Sequence, residues 1–220
     1  MKRFALLLII SFFSFCAIAQ TASVAEFAKC VAKYKNQAGV SAIAVKTNHK
    51  AAVAKDEITY GDMYIAAPDK ICITFNDCTD QLIMNAGVFT MTVNGKRHIT
   101  NSSADAQFAT FQAVLESVIC GGTKTDFASL DNVKMEKSGS DVVITITPKQ
   151  EAPAADAAAK GAKKKGGSRV GKMFSSFVIT VNAGTPGLKS LRMNGKGNNY
   201  TEYTFTDTKL GTQADPKFFK

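Results

Sequence analysis

Apolar side chains recur at every second position through the middle of this chain. Between residues 58 and 93 the sequence reads ITYGDMYIAAPDKICITFNDCTDQLIMNAGVFTMTV, a set of short β-rich runs broken by Gly61, Pro68, the Asn76–Asp80 turn and Gly87. Ile71, Ile73 and Phe75 form one row, Leu82 and Met84 a second, and Phe89, Met91 and Val93 a third. A period of two places such a row on one face of a sheet. The alternate positions are small or polar, so the sheet has one apolar face that something must cover.

The same reading extends outward. Gly39–Asn48 alternates and predicts a strand, with Ile43 and Val45 among its apolar positions. Asn94-Gly95 predicts a hairpin turn, returning through Lys96–Thr100. Leu130–Lys137 and Asp141–Thr147 predict a second hairpin, and Met173–Asn182, Leu188–Asn194 and Asn199–Thr206 three further strands carrying Phe177, Ile179 and Met193. Two segments follow a helical period instead. Ser23–Lys35 opens with Ser23 and Glu26 at capping-box spacing and sets Val24, Phe27, Val31 and Tyr34 on one face. A second helix from Ser102-Ser103 to about Cys120 carries Phe108, Phe111, Leu115, Val118 and Ile119, and Gly121-Gly122 ends it. About eleven strands twist relative to one another and curl. The predicted fold is therefore mainly β (α+β): a curved antiparallel half-barrel with amphipathic helices over its apolar concave face.

Composition adds an address. Lys2 and Arg3 precede an apolar run from Phe4 to Phe15, and Ala17-Ile18-Ala19 offers a cleavage site. Residues 1–19 read as a signal peptide, since the run falls short of the roughly 18–20 residues of a membrane span. Residues 20–220 then form one exported domain, expected to be monomeric. Removing the leader lowers the net charge from +9 to +7, a weak bias towards anionic partners. Residues 149–172, rich in Ala, Gly and Lys with seven basic and two acidic residues, read as a basic, flexible insertion. Its Lys163–Lys165 and Arg169 suit either an acidic headgroup or plain solvation. The exported part keeps Cys30, Cys72, Cys78 and Cys120. An even count suggests disulfides, and buried free thiols are the alternative.

Nothing in the spacing points to an enzyme. GxSxG, HExxH, a P-loop and a helix-opening GxGxxG are all absent. His49 and His98 have no metal-ligand spacing, and no metal, cofactor or nucleic acid is expected. The Phe- and Met-rich inward rows either pack solid or enclose an apolar ligand.

The order of parts resembles the LolA family of periplasmic lipoprotein carriers over most of residues 22–219. The resemblance rests on Gly61-Asp62 opening a strand that ends at Pro68, on Ile71, Ile73 and Phe75, and on Leu82-Ile83-Met84 before Gly87. It continues through a helix with Phe108, Phe111 and Leu115, Thr147-Pro148-Lys149 at a strand end, Tyr200–Phe205, and the closing Ala-Asp-Pro-Lys-Phe-Phe. The chain departs from the family at Ala67, where the family often has Arg, and at Ala86, where it has Asp. The resemblance implies a binding protein that takes the acyl chains of lipoproteins from an inner-membrane release complex, with transient contact at the membrane surface, and passes them to an outer-membrane acceptor. It also implies a hydrophobic cavity. Val24, Phe27, Val31, Phe108, Phe111 and Leu115 would form its helical lid. Ile43, Val45, Ile71, Ile73, Phe75, Met84, Phe89, Met91, Phe177, Ile179 and Met193 would line the sheet side. A carrier of a glycolipid or fatty acid on the same scaffold, and a structural β-protein with a filled interior, are the alternatives.

Overall fold

The computed structural model describes residues 20–76, 78–101, 106–123, 126–147, 174–184 and 187–220. The leader expected at residues 1–19, the flexible insertion expected at 149–172 and the predicted start of the second helix at Ser102-Ser103 lie outside the described residues.

Among the described residues twelve antiparallel strands form one sheet. They are β1 (Gln20–Thr21), β2 (Gly39–His49), β3 (Glu57–Ala66), β4 (Lys70–Phe75), β5 (Asp80–Asn85) and β6 (Val88–Val93), then β7 (Lys96–Asn101), β8 (Val133–Ser138), β9 (Asp141–Ile146), β10 (Ser176–Asn182), β11 (Leu188–Asn194) and β12 (Tyr200–Leu210). Their order in space is β1-β8-β9-β10-β11-β12-β2-β3-β4-β5-β6-β7. The two-residue β1 is the addition to the eleven predicted. Among the described residues β1 pairs only with β8 and β7 only with β6, so the sheet curls without closing.

Helix α1 (Val24–Val31) begins as its sequence predicts. The Ser23 Oγ accepts from the Glu26 N–H at 3.2 Å, and the Glu26 carboxylate accepts from the Ser23 N–H at 2.9 Å. A 3-10 turn at Ala32–Tyr34 extends it. Helix α2 (Ala106–Ile119) ends in the paired 6→1 and 5→2 bonds of a Schellman motif: the Gly122 N–H donates to Ser117 O and the Gly121 N–H to Val118 O. Gly121 sits at φ +69, which a side chain would oppose.

The tail docks. Pro216–Phe219 form a 3-10 turn, and Phe219 covers Cys72 and Ile83 on the convex face of β4 and β5. Phe218 stacks on Tyr64 at 4.5 Å between ring centroids, and Asn85 Nδ2 donates to Phe219 O at 2.9 Å. These strands are therefore buried on both faces, which explains why Cys72 and Ile83 are as apolar as their inward neighbours. Cys30, Cys72, Cys78 and Cys120 are all free thiols, so the disulfide suggested by the even count does not form among them. The alternative of buried thiols holds for Cys30 and Cys72, while Cys78 is exposed and Cys120 half-buried. Cys30 and Cys72 are buried and pack as small hydrophobes, and burial pushes the Cys72 thiol up to about 12. Deleting residues 216–220 should uncover it. We expect the native protein to gain one thiol that reacts with Ellman's reagent; an unchanged count would show that the tail does not shield it.

One turn is strained. The β5–β6 hairpin turns through Ala86 (φ +47) and Gly87 (φ +82), a conformation that favours Asn or Asp at the first position. Ala86→Asn should raise stability by about 1 kcal/mol, read as a higher urea midpoint at unchanged slope.

Candidate functional site

The concave face is built from rungs of directly opposed residues. At one end Val40, Ile65, Ile71, Met84 and Phe89 face one another across β2 to β6. The next rung runs Ala42, Met63, Ile73, Leu82, Met91. The third runs Phe205, Ala44, Gly61, Phe75, Asp80 across β12 to β5. Beyond it Tyr203 opposes Lys46. The face is thus apolar at one end and acquires charge at the other.

The helices lie over this face. Phe27 and Val31 of α1 are buried, and α1 packs on β9 and β10. Phe108 and Phe111 of α2 reach across the trough. Phe108 lies 4.9 Å from Phe89 and 5.2 Å from Phe177, and Phe111 lies 4.6 Å from Phe177. Such aromatic contacts add about 0.5–1.5 kcal/mol each beyond burial. Leu115, Ile144, Ile179 and Leu191 complete the same apolar cluster.

Of the residues assigned to the cavity from sequence, Phe27, Val31, Ile71, Ile73, Phe75, Met84, Phe89, Met91, Phe108, Phe111, Leu115, Phe177, Ile179 and Met193 are buried and belong to this one cluster. Three are corrected. Ile43 is 41% exposed, and Val45 shares its outer face, opposite the exposed Tyr60. Strand β2 is apolar in both phases, so its sequence does not choose a face. The register does, by setting Ala42 against Met63 and Ala44 against Phe205. Val24 is 44% exposed because α1 buries the side carrying Phe27, Cys30 and Val31.

Two residues missed by the sequence reading complete the charged end. Lys46 and Asp80 are both buried, and Lys46 Nζ donates to Asp80 Oδ2 at 2.6 Å. The pair spans from β2 to β5. It passes over Ala44 and Gly61, where a Cβ on Gly61 would stand 2.5 Å from the Phe75 ring, and Lys46 Nζ lies 5.1 Å from that ring's centroid. The Asn94 N–H donates to Asp80 Oδ1 at 2.8 Å. Asp80 is a charge in phase with the inward Leu82 and Met84, but Lys46 lies on β2, where both phases are apolar and only the register turns it inward. Burial acts to raise the Asp80 carboxyl, but the bonds from Lys46 and Asn94 outweigh it and hold the group below its ordinary value. A lowered native value stabilises the fold above the unfolded carboxylate value, about pH 4, and that share is lost as pH falls through the native value. Unfolding by urea should therefore need less denaturant at pH 3 than at pH 6, and Asp80→Asn should flatten the difference.

Space opens beside this pair. A cavity of about 200 Å³ is lined by Phe75, Met91, Phe174, Met193 and Tyr203 together with Lys46 and Asp80. A wider cleft of about 640 Å³ adjoins it and shares Lys46, Asp80, Phe174, Met193 and Thr201, reaching the rim at His49, Lys50 and Tyr200. The inner space is smaller than the roughly 300–1,000 Å³ of pockets that hold drug-sized ligands. Beneath the helices the aromatic cluster is packed, so a long apolar guest has to displace α1 or α2.

The arrangement of parts that carried the resemblance to LolA proteins recurs in the fold: leading helix, curved meander, second helix, return strands and docked tail. No family model matches the sequence, and no curated protein matches it. Solved structures do. The chain is similar to a DUF1329 family protein from Desulfovibrio piger at TM-score 0.41 and 10% identity, covering 89% of this chain and 96% of that one. It is similar to a LolA superfamily protein from Nitrosomonas europaea at TM-score 0.38 and 8% identity, covering 90% and 98%. It is also similar to the lipoprotein LppX of Mycobacterium tuberculosis at TM-score 0.37 and 14% identity, covering 87% and 96%.

Proposed function

We propose that this chain is a periplasmic carrier that shelters acyl chains on its concave face, those of lipoproteins in transit to the outer membrane being the first reading. It binds and releases and makes no covalent bond. The observation that supports the reading is the apolar trough itself: an unclosed sheet, covered by two helices rather than by a second sheet, with a cleft at one end that leads inward. Each CH₂ withdrawn from water gains about 0.8 kcal/mol, so a host of this kind needs no catalyst to hold its cargo. The packed Phe89, Phe108, Phe111 and Phe177 cluster would be the empty state, in which the helices fill the trough with their own side chains. Release is then easy because the vacated space closes again. The leader at residues 1–19 supports the compartment, and a release complex at the inner membrane and an acceptor at the outer membrane are the partners this role requires.

A second reading, a carrier of another amphiphile, is favoured by one feature. A trough meant only for hydrocarbon has no use for Lys46 and Asp80 at its open end. Organic extraction of the protein purified from its native envelope, followed by mass spectrometry, tests both readings. Diacyl or triacyl chains bound to peptide support the first, and a free amphiphile the second. An extract without lipid, from protein that also fails to take up a naphthalene sulfonate dye, contradicts carriage altogether.

A further inference from the structure

The charged end of the trough has unused donors. Lys46 Nζ carries three N–H groups, and Asp80 is its one hydrogen-bond partner among the described residues. Tyr203 directly opposes Lys46 across β12 and β2. Its ring lies 5.8 Å from that of Phe75, it lines the inner cavity, and no partner for its hydroxyl is found among the described residues. Of the carboxylates there, both Asp80 oxygens already accept a bond, one from Lys46 and the other from the Asn94 N–H, and Glu57 at the exposed rim accepts on one, from Asn48 Nδ2. Lys50 adds a second positive charge at the rim, and His49 is held by Asp56 at 2.7 Å. At the inner end, beside Lys46 and Tyr203, donor capacity is in excess, at the lip of a trough whose deeper rungs are hydrocarbon.

We propose that this cleft is a head-group site for a single-chain anionic amphiphile. A carboxylate or phosphate monoester accepts hydrogen bonds from Lys46 Nζ and the Tyr203 hydroxyl, while its tail enters between Phe75, Met91 and Met193. Charge-assisted bonds of this kind are the strong ones, and they form where low polarity strengthens them. The inner 200 Å³ takes the first part of the tail without movement of the helices, and the remainder follows as they part. The inference rests on the reading of the trough as a host for acyl chains and narrows the chemistry of what it holds.

The test compares three ligands of one tail length by titration calorimetry below their micelle concentrations: dodecanoate, dodecyl phosphate and methyl dodecanoate. The full chain should bind at least one of the anions tenfold or more tightly than the ester, and which anion leads tells a fatty acid from a phosphorylated lipid. Tyr203→Phe, which keeps the ring and its packing, should lose about threefold of that preference. Lys46→Met combined with Asp80→Leu should abolish the preference, read as the ratio of anion to ester affinity. Equal affinity for anions and ester in the unaltered protein overturns the head-group site while leaving acyl carriage intact. Failure of all three ligands to bind overturns both.

Discussion

Lys46→Met alone should lower the free energy of unfolding by about 3–5 kcal/mol, because it strands a buried carboxylate without its partner. Asp80→Leu alone should cost a similar amount by stranding the ammonium. The double variant Lys46→Met/Asp80→Leu should recover most of the loss, since a buried ion pair replaced by apolar residues of similar volume is often neutral. The physical reason is that Lys46 and Asp80 were both taken out of water to meet at 2.6 Å, and each makes the other's burial tolerable. Chemical denaturation of the two single variants and the double variant measures the coupling directly. Additive losses would mean that the two groups are solvated independently and that this end of the trough is wetter than the burial of both residues indicates.

Phe111→Ala should cost about 3–5 kcal/mol, and it should change binding as well as stability. Phe111 is 1% exposed and joins α2 to both sides of the sheet, through Phe89 of β6 at 6.0 Å and Phe177 of β10 at 4.6 Å. Truncation removes the ring that spans the trough and leaves a void lined by apolar groups, the kind of cavity that stays dry and accepts an apolar guest. An apolar dye should therefore bind the variant more tightly than the parent while the variant remains folded, as judged by its far-ultraviolet dichroism. A variant that is destabilised but binds no additional dye would indicate that the sheet and helices collapse onto the gap, and that the trough cannot stay open.

The sequence made the elements and most of the inward rows legible because period-two alternation is decisive where one phase is apolar and the other is not. Strands β6 and β10 are such cases, and helix α2 is legible by its own 3.6-residue period. It failed at β2, where Ile43 and Val45 compete with Val40, Ala42 and Ala44, and only pairing with β3 and β12 settles which phase turns inward. It failed at Val24 because this residue is the first after the N-cap and the helix buries the side carrying Phe27, Cys30 and Val31 instead. The Lys46–Asp80 pair was invisible for a different reason. The two residues are 34 positions apart, and no local pattern reports that a strand three places away supplies the counter-charge. The docked tail, by contrast, was foreseeable from Phe218 and Phe219, since two large apolar side chains near a terminus gain from burial against any available apolar patch.

In the proposed carrier, the acyl chain enters the concave face rather than the convex one. Photoaffinity labelling with a diazirine-bearing fatty acid, followed by peptide mass spectrometry, tests it most directly. Labels are expected on Phe75, Met91 and Met193 around the inner cavity and on Phe177 beneath α2. Labels confined to Ile43, Ile58 and Tyr60 on the outer face, with none in the trough, would contradict it.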